Sequence, residues 1–269
     1  MTYPDYDQIP ALNFSTLKHM AGGPFNYAYR LRNPQPQTQT MAVGVAVHCM
    51  VLEPDQFNSR YAICDMNRNS NAYKDQAALE AEAGRVILKS GEYADICTIA
   101  ASVSNNDKAV ELLTHCTTEA ALTWTRADGR ACKGRIDAYK LDPKPVLIDF
   151  KTTADPVPHA FQRQAYNMAY YAQMAWYAEG MVEALECPFP DVFIIATGNR
   201  EPYETIVYHV PVEVLARGEE LYLGWLDELD ACEKSGLFPS RYEGVQELEL
   251  PAWAAVEESV DFEGLEMVE

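Results

Sequence analysis

Apolar and polar positions change period twice along the chain, and the changes divide it. The stretch "ALNFSTLKHMAGGPFNYAYRLRN" predicts two short helical pieces broken by Gly22, Gly23 and Pro24, with Asn13 or Ser15 able to cap the first. "TMAVGVAVHCMVLEP" is a small-residue apolar run ending at Pro54 and predicts a buried helix, and the Asn-rich "CDMNRNSNAY" predicts a loop. From about residue 74 to 114 apolar residues recur at helical spacing, with interruptions near Gly91 and at "SNND".

The period then becomes two. "EAALTWTRADGRACKGRIDAYKLDPKPVLIDFKTT" alternates through three segments joined by the turn signals "ADGR" and "LDPKP", which predicts three consecutive antiparallel strands. A helix from roughly Ala160 to Gly180 follows, then a strand at "DVFIIAT", a turn at "GNREP", a strand at "YETIVYHV" and a last helix from about Val212 to Ser235. This order predicts an α+β or α/β fold, a sheet flanked by helices with a helical N-terminal portion. The expected division is one domain over residues 1–242, helical over 11–118 and sheet-based over 119–242, with an acidic tail over 243–269.

Composition narrows the function classes. With 48% hydrophobic residues the chain can bury a large core, and no run reaches the roughly 18 apolar residues of a membrane span. The start "MTYPDYDQIP" has neither a basic nor an apolar leader region, so a cytoplasmic protein without membrane association is expected. Seven singly placed cysteines without a CxxC pair argue against a disulfide framework and against a thiolate metal site. The net charge of −19 is uneven: nine acids and no base follow Arg241, leaving 31 acids against 21 bases before it. A polyanion would therefore have to be met by a local basic groove and bound cations.

The chemistry concentrates in "GRIDAYKLDPKPVLIDFKTT". A turn centred near Pro143 sets Asp137 opposite Asp149, with Lys133, Arg135, Lys151 and Thr153 on the same face and Ile136, Ala138, Ile148 and Phe150 on the other. Facing carboxylates about 5 Å apart repel unless a proton or a cation lies between them. Magnesium or manganese suits such a pair, and Lys151 would stand beside it. A solvated hairpin face of mixed charge explains the same spacing equally well.

The order of the remaining residues decides between these. Gly44-x-x-x-His48, Glu119, Gly134-Arg135-Ile136-Asp137, Asp149-Phe150-Lys151 and Gln173-x-x-x-Tyr177 together resemble the PD-(D/E)xK nuclease superfamily, in the branch of the RecB-type nucleases and the nuclease domain of exonuclease VIII (RecE). The resemblance covers roughly residues 11 to 180 and implies a restriction-endonuclease-like core. It implies His48, Asp137, Asp149 and the Phe150 carbonyl as ligands of one or two Mg²⁺ or Mn²⁺ ions, with Lys151 as catalytic lysine. It further implies Glu119 as a supporting acid, Gln173 and Tyr177 as a bracing helix motif, and DNA contact at Ser15 and Lys18, although Ser15 serves equally as a cap. Arg30, Lys133 and Arg135 are the other candidates for tracking a DNA backbone.

The resemblance implies a 5′ to 3′ exonuclease on linear duplex DNA, a ring-like homo-oligomer and a single-strand annealing partner in phage-type recombination. The chain lacks the cysteine cluster of the iron-sulfur members and any G-x-x-x-x-G-K-[ST] motif. The alternatives are an endonuclease or 3′-end nuclease on the same core, and a catalytically silent acidic protein-binding module.

Overall fold

A computed structural model describes residues 6–36, 38–242 and 244–249. In chain order its elements are strand β1 (Leu12–Asn13), helices α1 (Phe14–Leu17), α2 (Pro24–Arg32), α3 (Gln39–Leu52) and α4 (Phe57–Arg60), then strand β2 (Tyr61–Ile63), helix α5 (Asn71–Glu82) and strand β3 (Val86–Leu88). Helices α6 (Ser90–Ser104) and α7 (Asp107–Leu113) lead into strands β4 (Thr117–Thr125), β5 (Ala131–Lys140) and β6 (Val146–Thr153). Helices α8 (Pro158–Asn167) and α9 (Tyr170–Leu185), strands β7 (Asp191–Gly198) and β8 (Thr205–Val210) and helix α10 (Val212–Ser235) complete the described chain. The fold is α/β, a mixed sheet between helices. Most of the expected acidic tail, from residue 250 on, lies outside the described residues.

The predicted meander forms: β4 and β5 pair antiparallel from Thr117↔Tyr139 to Thr125↔Ala131, and β5 pairs β6 antiparallel at Ala138↔Ile148, Tyr139↔Leu147 and Lys140↔Val146. β6 then pairs β7 in parallel through a crossover by α8 and α9, and β8 returns antiparallel beside β7. The β5–β6 ladder runs no further than Ala138↔Ile148. Since β4 occupies one edge of β5 throughout, β1 takes the other edge where β6 has left it, pairing in parallel at Leu12↔Cys132 and Asn13↔Lys133. The sheet therefore opens between β5 and β6, and backbone groups there face a gap.

Apolar residues cover both faces. One core joins Leu122, Trp124, Cys132, Ile136, Leu147 and Ile194 to Trp176, Tyr222 and Leu229 of α9 and α10; the other joins Ala138, Ile148, Phe150 and Ile195 to Ala46, Val47, Ile96 and Ile99 of α3 and α6. The expected placement of Ile136 on one face with Ala138 is corrected by this division. Side-chain alternation along β5 changes phase at Asp137, and opposite it Glu119, at the step between Thr118↔Ala138 and Ala120↔Ile136, has φ 50°. A non-glycine residue in the left-handed region costs about 1–3 kcal/mol and persists where its surroundings over-determine it.

Three further expectations change. The helix expected from Ala160 to Gly180 is two, because Ala169 adopts φ 52° and turns the chain between α8 and α9. Gly91 lies inside α6 instead of breaking a helix, and the interruption is β3, which pairs with β2 in a small parallel sheet. The first segment begins with β1 before its helix. There Asn13 is the cap, its side chain accepting from the Thr16 amide at 2.8 Å, and Ser15 donates to that same Asn13 oxygen.

Candidate active site

Beside the opening between β5 and β6, β5 and β4 line a cleft of about 710 Å³. Its walls come from Asn13 of β1, α1 (Phe14, Ser15), α3 (Met41, Gly44, Val45, His48), β4 (Glu119), β5 (Gly134, Arg135, Asp137), α9 (Tyr177) and the segment Tyr6–Asp7. Gly44 leaves α3 without a side chain facing this space. Gly134 does the same for Tyr177, since a Cβ at 134 would stand 3.1 Å from the Tyr177 ring.

Asp137 stands at the centre of a row of three carboxylates. Glu119 is opposite it across β4 and Asp149 across β6, by continuation of both registers. Where the β5–β6 ladder has ended, the Phe150 amide donates to Asp137 Oδ2 at 2.7 Å in place of a backbone acceptor. The carbonyl of a strand residue points to the same side as its amide, so the Phe150 carbonyl also faces the gap. His48 brings Nδ1 to 3.7 Å from Asp137 Oδ2, its ring edge-on to Phe150 at 5.0 Å. Each of His48, Glu119 and Asp137 offers one ligand atom within 4.8 Å of the others.

Asp149 lies deeper. It is 1% exposed, with Oδ1 accepting from Lys151 Nζ at 2.9 Å and Oδ2 at 2.8 Å from the same nitrogen without forming a proper hydrogen bond. A buried carboxylate oxygen left in that condition suits a cation. The donor set of imidazole, carboxylates and a backbone carbonyl also fits a hard divalent metal. The structure thus places Glu119 in the cluster beside His48 and Asp137, while Asp149 stands behind it with its ammonium partner.

Electrostatics follow from burial. Desolvation raises the Asp149 carboxyl to about 6, with Lys151 opposing and Asp137 reinforcing the shift. It also raises Asp137, against the pull of Lys151 and the Phe150 amide. For Lys151, desolvation would lower the ammonium, but Asp149 and Asp137 outweigh it and hold it well above the ordinary lysine range. Burial and the Lys151 charge push the His48 imidazole down to about 4, leaving it neutral and able to act as a ligand at pH 7. Because Asp149 must be ionised to hold a cation, affinity for Mn²⁺ is expected to fall about tenfold from pH 7 to pH 5, measured by calorimetry. An equal affinity at both values would exclude Asp149 as a group that responds to the cation.

The other sequence candidates divide. Arg135 lines the cleft with Nε 3.2 Å from Glu119 Oε2, and Gln173 donates to the Tyr177 hydroxyl at 3.1 Å. Ser15 is exposed at the cleft wall, Lys18 is half-buried in the turn after α1, and Arg30 is exposed on α2. Lys133 requires a correction. It is 5% exposed, and Nζ donates to the carbonyls of Tyr6 at 2.9 Å and Ile9 at 3.0 Å, so it anchors the N-terminal segment and does not track DNA.

One group of residues escaped the sequence reading. Thr153 donates to Gln164 Oε1 at 2.6 Å, Gln164 donates to the Tyr170 hydroxyl at 3.1 Å, and the Tyr170 ring lies 5.1 Å from Lys151 Nζ. This chain crosses from β6 to the α8–α9 turn and fixes an aromatic face against the lysine. Its only trace in the sequence is the concentration of Tyr and Gln after the "DFKTT" strand.

A family described as "PDDEXK-like domain of unknown function (DUF3799)" matches residues 13–251. The chain belongs to this PDDEXK-like family. The fold of a candidate exonuclease from Eubacterium rectale is similar, with a TM-score of 0.65 at 14% identity over 93% of this chain and 95% of that one. A phage-related exonuclease from Haemophilus somnus 129PT aligns over 84% of this chain and 96% of its own at 14% identity, with a TM-score of 0.36 that carries no argument. No curated protein sequence matches the chain. The PDDEXK-like assignment agrees with the resemblance carried by the hairpin motifs, and among the described residues no helix is long and apolar enough to cross a membrane.

Proposed function

We propose that the protein is a Mg²⁺-dependent deoxyribonuclease, a 5′ to 3′ exonuclease that digests linear duplex DNA in phage-type recombination. The observation that carries the nuclease reading is the convergence of His48, Glu119 and Asp137 within 4.8 Å at the opening of the sheet, with Lys151 on Asp149 behind them. Membership of a PDDEXK-like family supports it. The substrate, the polarity, a ring-like homo-oligomer and a single-strand annealing partner rest on the sequence resemblance to the exonuclease VIII branch.

His48, Glu119, Asp137, Asp149 and the Phe150 carbonyl would hold one or two Mg²⁺ or Mn²⁺ ions. Such an ion supplies charge neutralisation at the scissile phosphate and a water of lowered pKa. Lys151 keeps its proton, because the buried Asp149 and the half-buried Asp137 hold it, and so acts as a fixed positive charge and hydrogen-bond donor toward the attacked phosphate and the entering water. The Tyr170 ring and the Asp149 carboxylate limit where that ammonium can stand. Tyr177, kept protonated by burial and bonded to Gln173, closes the wall opposite α3. Arg135, Lys18 and Arg30 would meet the phosphate backbone without reading bases.

The test is release of label from linear duplex carrying it at the 5′ or the 3′ end, beside a closed circle, with Mg²⁺ or with chelator. The expected result is metal-dependent release of 5′ label from the linear substrate alone. Nicking of the circle favours the endonuclease alternative, early release of 3′ label reverses the polarity, and no hydrolysis of any substrate overturns the reading.

A further inference from the structure

The acidic charge of this chain avoids one segment. No Asp or Glu occurs between Asp7 and Glu53, in a sequence where 40 of 269 residues are acids. An even spread would put about six or seven there. The acid-free stretch carries Lys18, His19, Arg30, Arg32 and His48, and it supplies α1 and α3, which line the cleft, and α2 between them in the chain.

Within it α2 presents an unusual surface. Phe25 is 62% and Tyr29 51% exposed, one helical turn apart on the same face, and Arg30 and Arg32 beside them are exposed as well. Helix α2 is tied to the turn before it by Asn26, whose side-chain amide donates to the His19 carbonyl at 3.0 Å. That turn leads back to the cleft: Ser15 lines the wall, Lys18 feels the Lys151 charge, and His19 feels both Arg30 and Lys18. His19 itself is held neutral, but Lys18 and Arg30, both close enough to act on it, carry positive charge from the side of Lys151 across the turn to α2. Exposed Tyr166, stacked on the half-buried Tyr171, borders a groove that Glu213 and Glu220 share with Arg217, so that place lacks the excess charge a polyanion needs.

We propose that this face of α2 holds single-stranded DNA next to the cleft, its bases stacked on Phe25 and Tyr29 and its phosphates met by Lys18, Arg30 and Arg32. A duplex offers its phosphates but keeps its bases stacked inside, so two large exposed rings among arginines suit a strand whose bases are free. The inference rests on the nuclease reading for its biological setting: hydrolysis of one strand leaves its complement single-stranded at the mouth of the site.

The experiment uses the full chain with chelator present, so that nothing is cut. Fluorescence anisotropy compares a labelled oligothymidylate with a blunt hairpin duplex, on wild type, Phe25→Ala, Tyr29→Ala and Arg30→Gln/Arg32→Gln. All four positions are exposed, and circular dichroism checks that each variant is folded. Each aromatic change is expected to weaken single-strand binding at least about fivefold and duplex binding less than about twofold. The double arginine change should flatten the salt dependence of single-strand binding by about 0.7 for each phosphate that is no longer neutralised. For Phe25→Ala and Tyr29→Ala, unchanged single-strand binding, or an equal weakening on the duplex, would overturn the proposal. So would a change confined to the assembly mass in light scattering, which would make this face a protein interface. Wild type that binds the single strand through this face yet hydrolyses no DNA with Mg²⁺ would sink the nuclease reading and leave the surface standing.

Discussion

Asp137→Asn is expected to lower metal-dependent hydrolysis more than about a hundredfold while the protein stays folded. Residues that only orient a metal ligand typically cost about 10–100-fold when changed, so loss of a ligand should exceed that range. Asp137 is the member of the cluster on which both others converge: His48 stands 3.7 Å from its Oδ2, and Glu119 faces it across β4. Asparagine keeps an oxygen that can accept from the Phe150 amide, so the closure of the β5–β6 opening survives. What disappears is one negative charge and one lone-pair direction, and the new amide donors point toward a site built to attract a cation. Calorimetry with Mn²⁺ should show the loss of affinity directly. Glu111→Gln, on the exposed face of α7, serves as a charge-matched control and should leave both measurements unchanged. Wild-type hydrolysis and Mn²⁺ affinity in folded Asp137→Asn would remove the cluster from the chemistry.

How much of this site was legible depends on how far apart in the chain the deciding contacts lie. The "LDPKP" turn fixes the pairing of the strands around it, so the register that sets Asp137 opposite Asp149 could be read from local sequence alone; the ladder keeps that register through Ala138↔Ile148 and ends one step short of the two aspartates. The ordered motifs carried the family, since they sample side chains whose spacing survives even where the elements between them are misread. Glu119 was visible as an acid, but its φ of 50° was not, because nothing in "TTEAALTWT" demands a left-handed residue. That conformation follows from the phase change of β5 at Asp137, which is a property of the assembled sheet. Lys133 looked like a surface cation by alternation. Its burial depends on carbonyls of residues 6 and 9, more than 120 positions away in the chain, and no local pattern encodes it. The break at Ala169 was missed for the opposite reason: helix formers run through it, and packing of the Tyr170 and Gln164 side chains near Lys151 overrides their propensity.

Lys151→Met should destabilise the metal-free protein by about 3–5 kcal/mol, the usual cost of removing one partner of a buried ion pair. Asp149 is 1% exposed and Asp137 is half-buried, so without the ammonium two carboxylates would face each other in a medium of low dielectric. The pH dependence has a definite sign. The folded-state pKa of Asp149 is already raised to about 6, so its ionisation opposes folding above that value, and the opposition vanishes as pH falls below the unfolded value of about 3.9. Removing Lys151 takes away the group that lowers this pKa and enlarges the penalty. The deficit of the variant, measured by urea denaturation, should therefore be largest near pH 8 and shrink toward pH 5 as the carboxyl takes up a proton. Lys151→Met/Asp149→Leu, which removes both charges, should recover most of the loss. A divalent cation should do the same by another route: Mn²⁺ is expected to stabilise Lys151→Met more than wild type, because in the variant it meets no competing ammonium on Asp149. Equal stability of Lys151→Met and wild type at pH 8 would mean that the lysine is not neutralising these carboxylates. The pair would then have to be charge-balanced by protonation, and the ammonium would be free to serve the phosphate alone.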